Sequence, residues 1–195
     1  MNLVIASNNP HKIFEIGRLL GDKIALLTLE EIGCTEELPE EMDTLEGNAS
    51  QKAWYLYNRY GYNCFADDTG LEVNALNGSP GVYSARFAGP ERDASANSAK
   101  VLSLMNEIND RRARFRTVIS LVIGGKETQF EGIVEGNITR APRGNEGFGY
   151  DPVFEPEELG VTFAEMSVDE KNRYSHRARA TSLLAEHLLS LNKDR

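Results

Sequence analysis

The sequence holds no apolar run approaching the about 20 residues that span a bilayer, which excludes a membrane helix from the reading. It has only two cysteines, Cys34 and Cys64, far apart and in no metal-ligand spacing. That excludes a disulfide framework and a cysteine-based metal site, and reads as reduced thiols in a cytoplasmic protein. The basic region and longer apolar core of a signal peptide are missing, since Met1 leads directly into Leu3-Val4-Ile5-Ala6. Cations are in the minority: 21 lysines and arginines face 30 acidic residues, for a net charge of −9. A general nucleic-acid binder would present a broad basic face instead. Repeats, low-complexity segments and linkers are absent as well. What remains is a chain of 195 residues, 41% hydrophobic, long enough to bury a sizeable core as one domain, or as one domain with two lobes. Such an acidic chain binds a small anion only through a local cationic cluster, a metal ion, or both.

Strands and helices interleave throughout, the pattern of an α/β or mixed α+β domain. Residues 2–6 read as a buried strand. Asn9 as N-cap, Pro10 at the first helical position and Gly21 at the exit predict a helix over 10–20. Residues 24–29 read as a second strand, and Asp43-x-x-Glu46 as a capping box opening a helix to about Tyr60. Strand 63–66 leads into Asp67-Asp68-Thr69-Gly70. Segments 71–75 and 81–87 look extended about the turn Asn77-Gly78-Ser79-Pro80-Gly81. Val101, Leu104, Met105 and Ile108 have helical spacing within 91–109, and 114–123 with 127–135 form a hairpin about Gly124-Gly125. A last helix, capped by Ser175, carries Leu183, Leu184, His187, Leu188 and Leu191 on one face.

Four stretches hold candidate chemistry. In Ser7-Asn8-Asn9-Pro10-His11-Lys12 a strand passes through a polar turn into a helix N-terminus, where free N–H groups favour an anion. Ser7 and Asn9 add donors and Lys12 a charge, although the glycines and Gly-Lys-Ser/Thr ending of a P-loop are missing. The same turn also suits an ordinary capped connection. Asp67 and Asp68 close a strand, where open α/β sheets bind ligands. Adjacent residues of an extended segment point to opposite sides, so the two aspartates have different tasks. A haloacid-dehalogenase phosphatase needs aspartates two apart, and Thr69 occupies that place. Locally, an Asp-rich turn and a site fit equally well. In Gly144 to Pro152, three glycines surround Phe148 and Tyr150, whose faces could stack on a base. Asp151 could accept from a ring N–H. Finally, His176 and Arg177 occupy the first turn of the last helix, where the dipole disfavours cations and a bound ligand would compensate them. His187 reads as a partly buried core residue and His11 as exposed.

In this order, SNNPHK, ADDTGLEVNALNGSPGVYSARFAG, GFGYDPVF and SHRARA resemble the inosine triphosphate pyrophosphatase-like family, over residues 3 to 185. The resemblance implies an elongated α/β fold with a central mixed sheet, flanking helices and two lobes around a substrate cleft. It also implies Mg²⁺-dependent hydrolysis of non-standard purine nucleoside triphosphates (ITP, dITP, XTP) to a monophosphate and pyrophosphate, and a homodimer. Carried over by motif, Ser7, Asn8, Asn9, Pro10, His11, Lys12, Lys52, Thr69, Phe148, Gly149, Tyr150, Asp151, Lys171, His176 and Arg177 contact the nucleotide. Asp68 is the implied general base and a metal ligand. Glu40, twelve residues before Lys52, matches the metal-binding glutamate, with Glu41 as a neighbouring alternative. The chain departs from the family's Glu-Glu-Asn-Ala with Glu46-Gly47-Asn48-Ala49; Gly47 weakens a helix by about 1 kcal/mol relative to alanine.

Together these residues suggest that Lys12, Lys52 and Lys171, a helix N-terminus and Mg²⁺ hold a polyphosphate while water near Asp68 attacks the α-phosphorus. Arg177 or His176 would donate to O6 of a 6-oxopurine, and Asp151 would accept from N1–H; adenine leaves both unpaired. A nucleotide sensor without turnover and an interaction protein without nucleotide binding are the competing readings. The loop at 77–89 suits a ligand lid or a dimer contact equally.

Overall fold

Along β1 (Asn2–Ile5), Leu3 and Ile5 face one way while Val4 and the following Ala6 face the other. The period-2 geometry of a strand produces this division, and the rest of the first half of the fold follows it. The computed structural model describes residues 2–21, 24–157 and 159–193. It contains β1, α1 (Pro10–Leu20), β2 (Ala25–Leu27), α2 (Leu45–Tyr60), β3 (Cys64–Val73), α3 (Ala94–Leu104), β4 (Arg112–Ile123), β5 (Lys126–Ile138), β6 (Phe154–Pro156), α4 (Val168–Tyr174) and α5 (His176–Lys193). The sheet order is β2-β1-β3-β4-β5-β6; β1 runs parallel to β2 and β3, and β5 antiparallel to β6. The parallel pairs are separated by helices, as crossover geometry requires. The mixed α/β class is therefore as expected. No helix among the described residues is long and apolar enough to cross a membrane.

The chain divides into two compact units. The first comprises residues up to Asp68, Thr117–Gly132 and the chain from Arg177. Here Leu3, Ile5, Phe65, Ile119 and Leu121 pack with Ile16 and Leu20 of α1 and Leu184 and Leu188 of α5. On the opposite sheet face, Val4, Ala6, Cys64, Ala66 and Val122 pack with Ala53 and Leu56 of α2. The second unit comprises Thr69–Arg116 and Ile133–His176. Its core is aromatic: Phe115 lies 4.7 Å from Phe154 and 6.1 Å from Phe163, around Leu71, Val73, Val101 and Met105.

Local signals place most elements. Asn9 caps α1 and Gly21 closes it at φ 57. Gly124 and Gly125, at φ 55 and 76, make the two-residue hairpin turn between β4 and β5. Several boundaries differ from expectation. β3 continues through Asp67-Asp68-Thr69-Gly70, because near-continuous burial on both faces sustains the strand and no turn forms. Thr44, not Asp43, caps α2, accepting from Gly47 N. Residues 74–76 and 81–86 are 3-10 turns rather than extended, and α3 is shorter than the expected 91–109, beginning after its cap Asp93. The second strand is confined to residues 25–27. Leu183 and Leu191 are exposed, so the buried stripe of α5 is narrower than expected and centres on Leu184 and Leu188. His187 is half-buried with its ring 5.4 Å from Phe130.

Gly47 has a packing reason. A Cβ there would lie 2.7 Å from Met42 Cβ and 3.0 Å from Thr44 Oγ1, so the glycine admits the preceding loop against α2.

Cys64 is fully buried and donates to Ala53 O, and desolvation pushes its thiol up to about 12. Thiolate, the reactive form, is negligible at pH 8. Iodoacetamide should therefore leave Cys64 unmodified in the native chain and alkylate it in denaturant, as read by peptide mass spectrometry.

Candidate active site

The alternation that sorts the apolar residues of β3 also sorts its two aspartates. Phe65 and Asp67 point toward α1 and α5, while Ala66 and Asp68 point toward α2. Asp67 Oδ2 lies 2.8 Å from Lys12 Nζ and 3.7 Å from Arg177 Nε. Burial alone would raise the pKa of Asp67, but Lys12, Arg177 and Lys52 outweigh it and hold the carboxyl well below the usual range. Asp68 goes the other way. Its burial raises the pKa, Glu40 adds to this, and the cations Lys52 and Lys12 only partly oppose it.

Lys52 organises the α2 side. Its buried Nζ donates to Glu40 Oε1 at 2.6 Å and to Asp67 O at 2.8 Å, and lies 3.6 Å from Asp68 Oδ1. Burial disfavours the ammonium, yet Asp68, Glu40 and Asp67 together raise its pKa. The neighbouring acids separate clearly: Glu40 faces Lys52, whereas the Glu41 carboxylate accepts from Gln51 Nε2 at 3.4 Å. Asn48, not singled out in the sequence, donates from Nδ2 to Asp68 Oδ2 at 3.1 Å while its Oδ1 accepts from Met42 N at 2.9 Å.

In the turn before α1, Asn9 is the expected cap, its Oδ1 accepting from His11 N and Lys12 N, while Ser7 Oγ accepts from Asn9 N. Asn8, Pro10 and His11 are exposed and Ser7 is half-buried. Arg177 has partners within the protein. Its guanidinium is fully buried and NH1 donates to Glu15 Oε2 at 2.6 Å. The cation in the first turn of α5 is thus balanced by Glu15 and Asp67 of the protein itself. Glu15, buried beside Ile16 in α1, was missed; an acid next to the apolar stripe of a helix was the available signal.

In the second unit, buried Lys171 Nζ lies 2.7 Å from Asp151 Oδ2, which also accepts from Phe148 N at 2.8 Å. The same ammonium sits 4.8 Å from the Phe148 ring centroid, a cation–π contact. Gly149 O accepts from Ser98 Oγ, and Tyr150 OH donates to Ser84 O at 2.7 Å. A Cβ on Gly147, at φ 72, would overlap the Asp151 carboxylate, so this loop needs glycine there. His176 is buried with its ring stacked 4.5 Å from Phe115, and Thr69 is half-buried on β3.

A cavity of about 450 Å³ in the second unit, lined by Arg111, Arg112 and Arg143, contains none of the candidate residues. Those arginines are engaged with backbone carbonyls, Asp110 and Glu155.

Residues 3–187 match the Ham1 family. A dITP/XTP pyrophosphatase of Flavobacterium psychrophilum is 51% identical over 186 residues, covering 95% of this chain and 98% of the relative. One from Porphyromonas gingivalis is 50% identical over 188 residues, covering 96% and 97%. Among solved structures, the Staphylococcus aureus Ham1 protein superimposes with a TM-score of 0.90 at 37% identity, covering 97% of this chain and 99% of that one. The nucleoside-triphosphatase, or dITP/XTP pyrophosphatase, of Mycobacterium abscessus gives a TM-score of 0.78 at 41% identity, covering 94% and 98%. With near-complete coverage in sequence and in fold, the chain belongs to the Ham1 family.

Proposed function

We propose that this protein is a nucleoside triphosphate pyrophosphatase that hydrolyses dITP, XTP and ITP to the monophosphate and pyrophosphate. The relatives named dITP/XTP pyrophosphatase support the substrate class. The observation that carries the chemistry is Asp68, a buried carboxylate held by Asn48 beside the Lys52–Glu40 pair.

The donor set fits Mg²⁺. No group of three or more ligating side chains occurs among the described residues. Glu40 and Asp68 nevertheless offer two hard oxygen ligands to an ion that keeps several of its waters. Bound there, Mg²⁺ would supply charge stabilisation for the phosphate oxygens and the departing pyrophosphate. Asp68 takes the proton of the water that attacks the α-phosphorus, and Lys12 and Lys52 neutralise phosphate oxygens. In this reading Asp67 holds Lys12 in place and is not the base.

For the base, Asp151 accepts from N1–H of a 6-oxopurine while Lys171, already paired with it, donates to O6. His176, stacked on Phe115, and Arg177, bonded to Glu15, are the other donors the sequence offers for O6. Adenine reverses the donor and acceptor of that edge, so its N1 would face the Asp151 carboxylate and its amino group the Lys171 ammonium, acceptor against acceptor and donor against donor. The working form in this reading is a cytoplasmic homodimer.

A pyrophosphate-release assay with Mg²⁺ over dITP, XTP, ITP, GTP and ATP tests it. The expected kcat/KM for dITP and XTP exceeds that for ATP by about a hundredfold or more. Comparable turnover of ATP would overturn the base assignment. Nucleotide binding without pyrophosphate release would favour a sensor.

A further inference from the structure

The loop carrying Glu40 and the strand carrying Asp68 share one side chain. Asn48 is buried on α2, and its two polar ends face opposite ways. Its Oδ1 accepts from Met42 N, which fixes the amide orientation because the NH2 end could not accept from that N–H. Nδ2 is thereby aimed at Asp68 Oδ2, 3.1 Å away. One turn along the same helix, Gln51 Oε1 accepts from Glu41 N at 3.0 Å, and Lys52 takes Glu40 itself. Three neighbouring positions of one helical face thus hold the acidic loop; two of them also reach the Asp68 carboxylate, Lys52 as an ion pair at 3.6 Å and Asn48 through a hydrogen bond. Gly47 gives this loop the room it needs against the helix.

We infer that Asn48 is a positioning residue that sets Asp68 and the Glu40 loop in mutual register; this rests on the reading of Asp68 as base and of Glu40 and Asp68 as ligands. A donor on Oδ2 orients the carboxylate so that Oδ1 is the oxygen beside Lys52. Without it, the carboxylate is free to rotate toward Lys52 and the loop loses an anchor. Misplacement on the scale of an ångström costs about a hundredfold in rate.

A double-mutant cycle between Asn48→Ala and Asp68→Asn is the test, with kcat for dITP, Mn²⁺ affinity by calorimetry without nucleotide, and melting temperature as readouts. Asn48→Ala alone should lower kcat 30- to 100-fold, with KM changed less than about threefold, and weaken Mn²⁺ binding about fivefold or more. In the Asp68→Asn background it should lower kcat by no more than about twofold, since it acts through that carboxylate. Asn48→Asp keeps the acceptor for Met42 N and removes the donor to Asp68. It should lose as much kcat as Asn48→Ala while remaining folded. Additive losses in the cycle, unchanged Mn²⁺ affinity in Asn48→Ala, or near-native kcat in Asn48→Asp would each overturn the inference. If Asp68→Asn alone kept near-native turnover, the reading of Asp68 as base would fail instead.

Discussion

Asp68→Asn is expected to lower kcat for dITP on the order of a thousandfold, with KM changed less than about threefold. Loss of a positioned general base costs between about a hundredfold and ten-thousandfold. The substitution keeps the shape of the side chain and an oxygen able to accept from Asn48 Nδ2. It removes the negative charge and the proton-accepting oxygen, so the loss falls on the transition state rather than on ground-state binding. About a thousandfold corresponds to roughly 4 kcal/mol of barrier. Steady-state pyrophosphate release by the purified variant measures it, with its melting curve as the control for folding. Turnover within a few-fold of the unsubstituted protein would remove Asp68 from the role of base. Asp67→Asn is the informative contrast. It disturbs Lys12 and Arg177 on the other face of β3, and so should affect stability and phosphate affinity alongside turnover.

The second large effect is on stability. Glu15→Ala should destabilise the fold by about 3–5 kcal/mol, because it leaves the Arg177 guanidinium buried without its nearest carboxylate. Asp67, a second acid beside it, is 3.7 Å from Nε, beyond good hydrogen-bond distance, and is itself paired with Lys12. Since single domains are stable by roughly 5–15 kcal/mol, this is a large share of the total. Urea denaturation should show the midpoint falling with little change in slope. The paired replacement Glu15→Leu with Arg177→Met should recover most of the loss, since apolar residues of similar volume often replace a buried ion pair without penalty. A destabilisation below about 1 kcal/mol for Glu15→Ala would mean that water reaches Arg177.

Much of this arrangement was legible in the sequence because it depends on short-range rules. Asn9 with Pro10 announces α1, the glycine pair at 124–125 announces the hairpin, and strand alternation alone separates Asp67 from Asp68. The cluster of Lys12, Lys52, Glu40 and Asp68 came through motif resemblance, since residues so far apart in the chain carry no local sign of meeting. What escaped was of two kinds. The strand through Asp67-Asp68-Thr69-Gly70 is maintained by burial on both faces, a tertiary effect that overrides the turn propensity of aspartate and glycine. Glu15 and Asn48 carry no local sign of their partners, Arg177 and Asp68, which lie far along the chain. Only the packed structure shows that both are buried and that each meets a charged partner.

The adjacency of Asp67 and Asp68 on one strand makes the site a matter of parity. Odd positions of β3 in the first unit, Phe65 and Asp67, belong to the α1–α5 side, and even positions, Cys64, Ala66 and Asp68, to the α2 side. Losing Cys64, with the chain before it held in place, would exchange the two carboxylates between Lys12 and Lys52 and turn Phe65 into a space packed for cysteine and alanine. Losing two would restore the faces but shorten the reach. Tolerance to length change in this strand should therefore alternate with the number of residues removed.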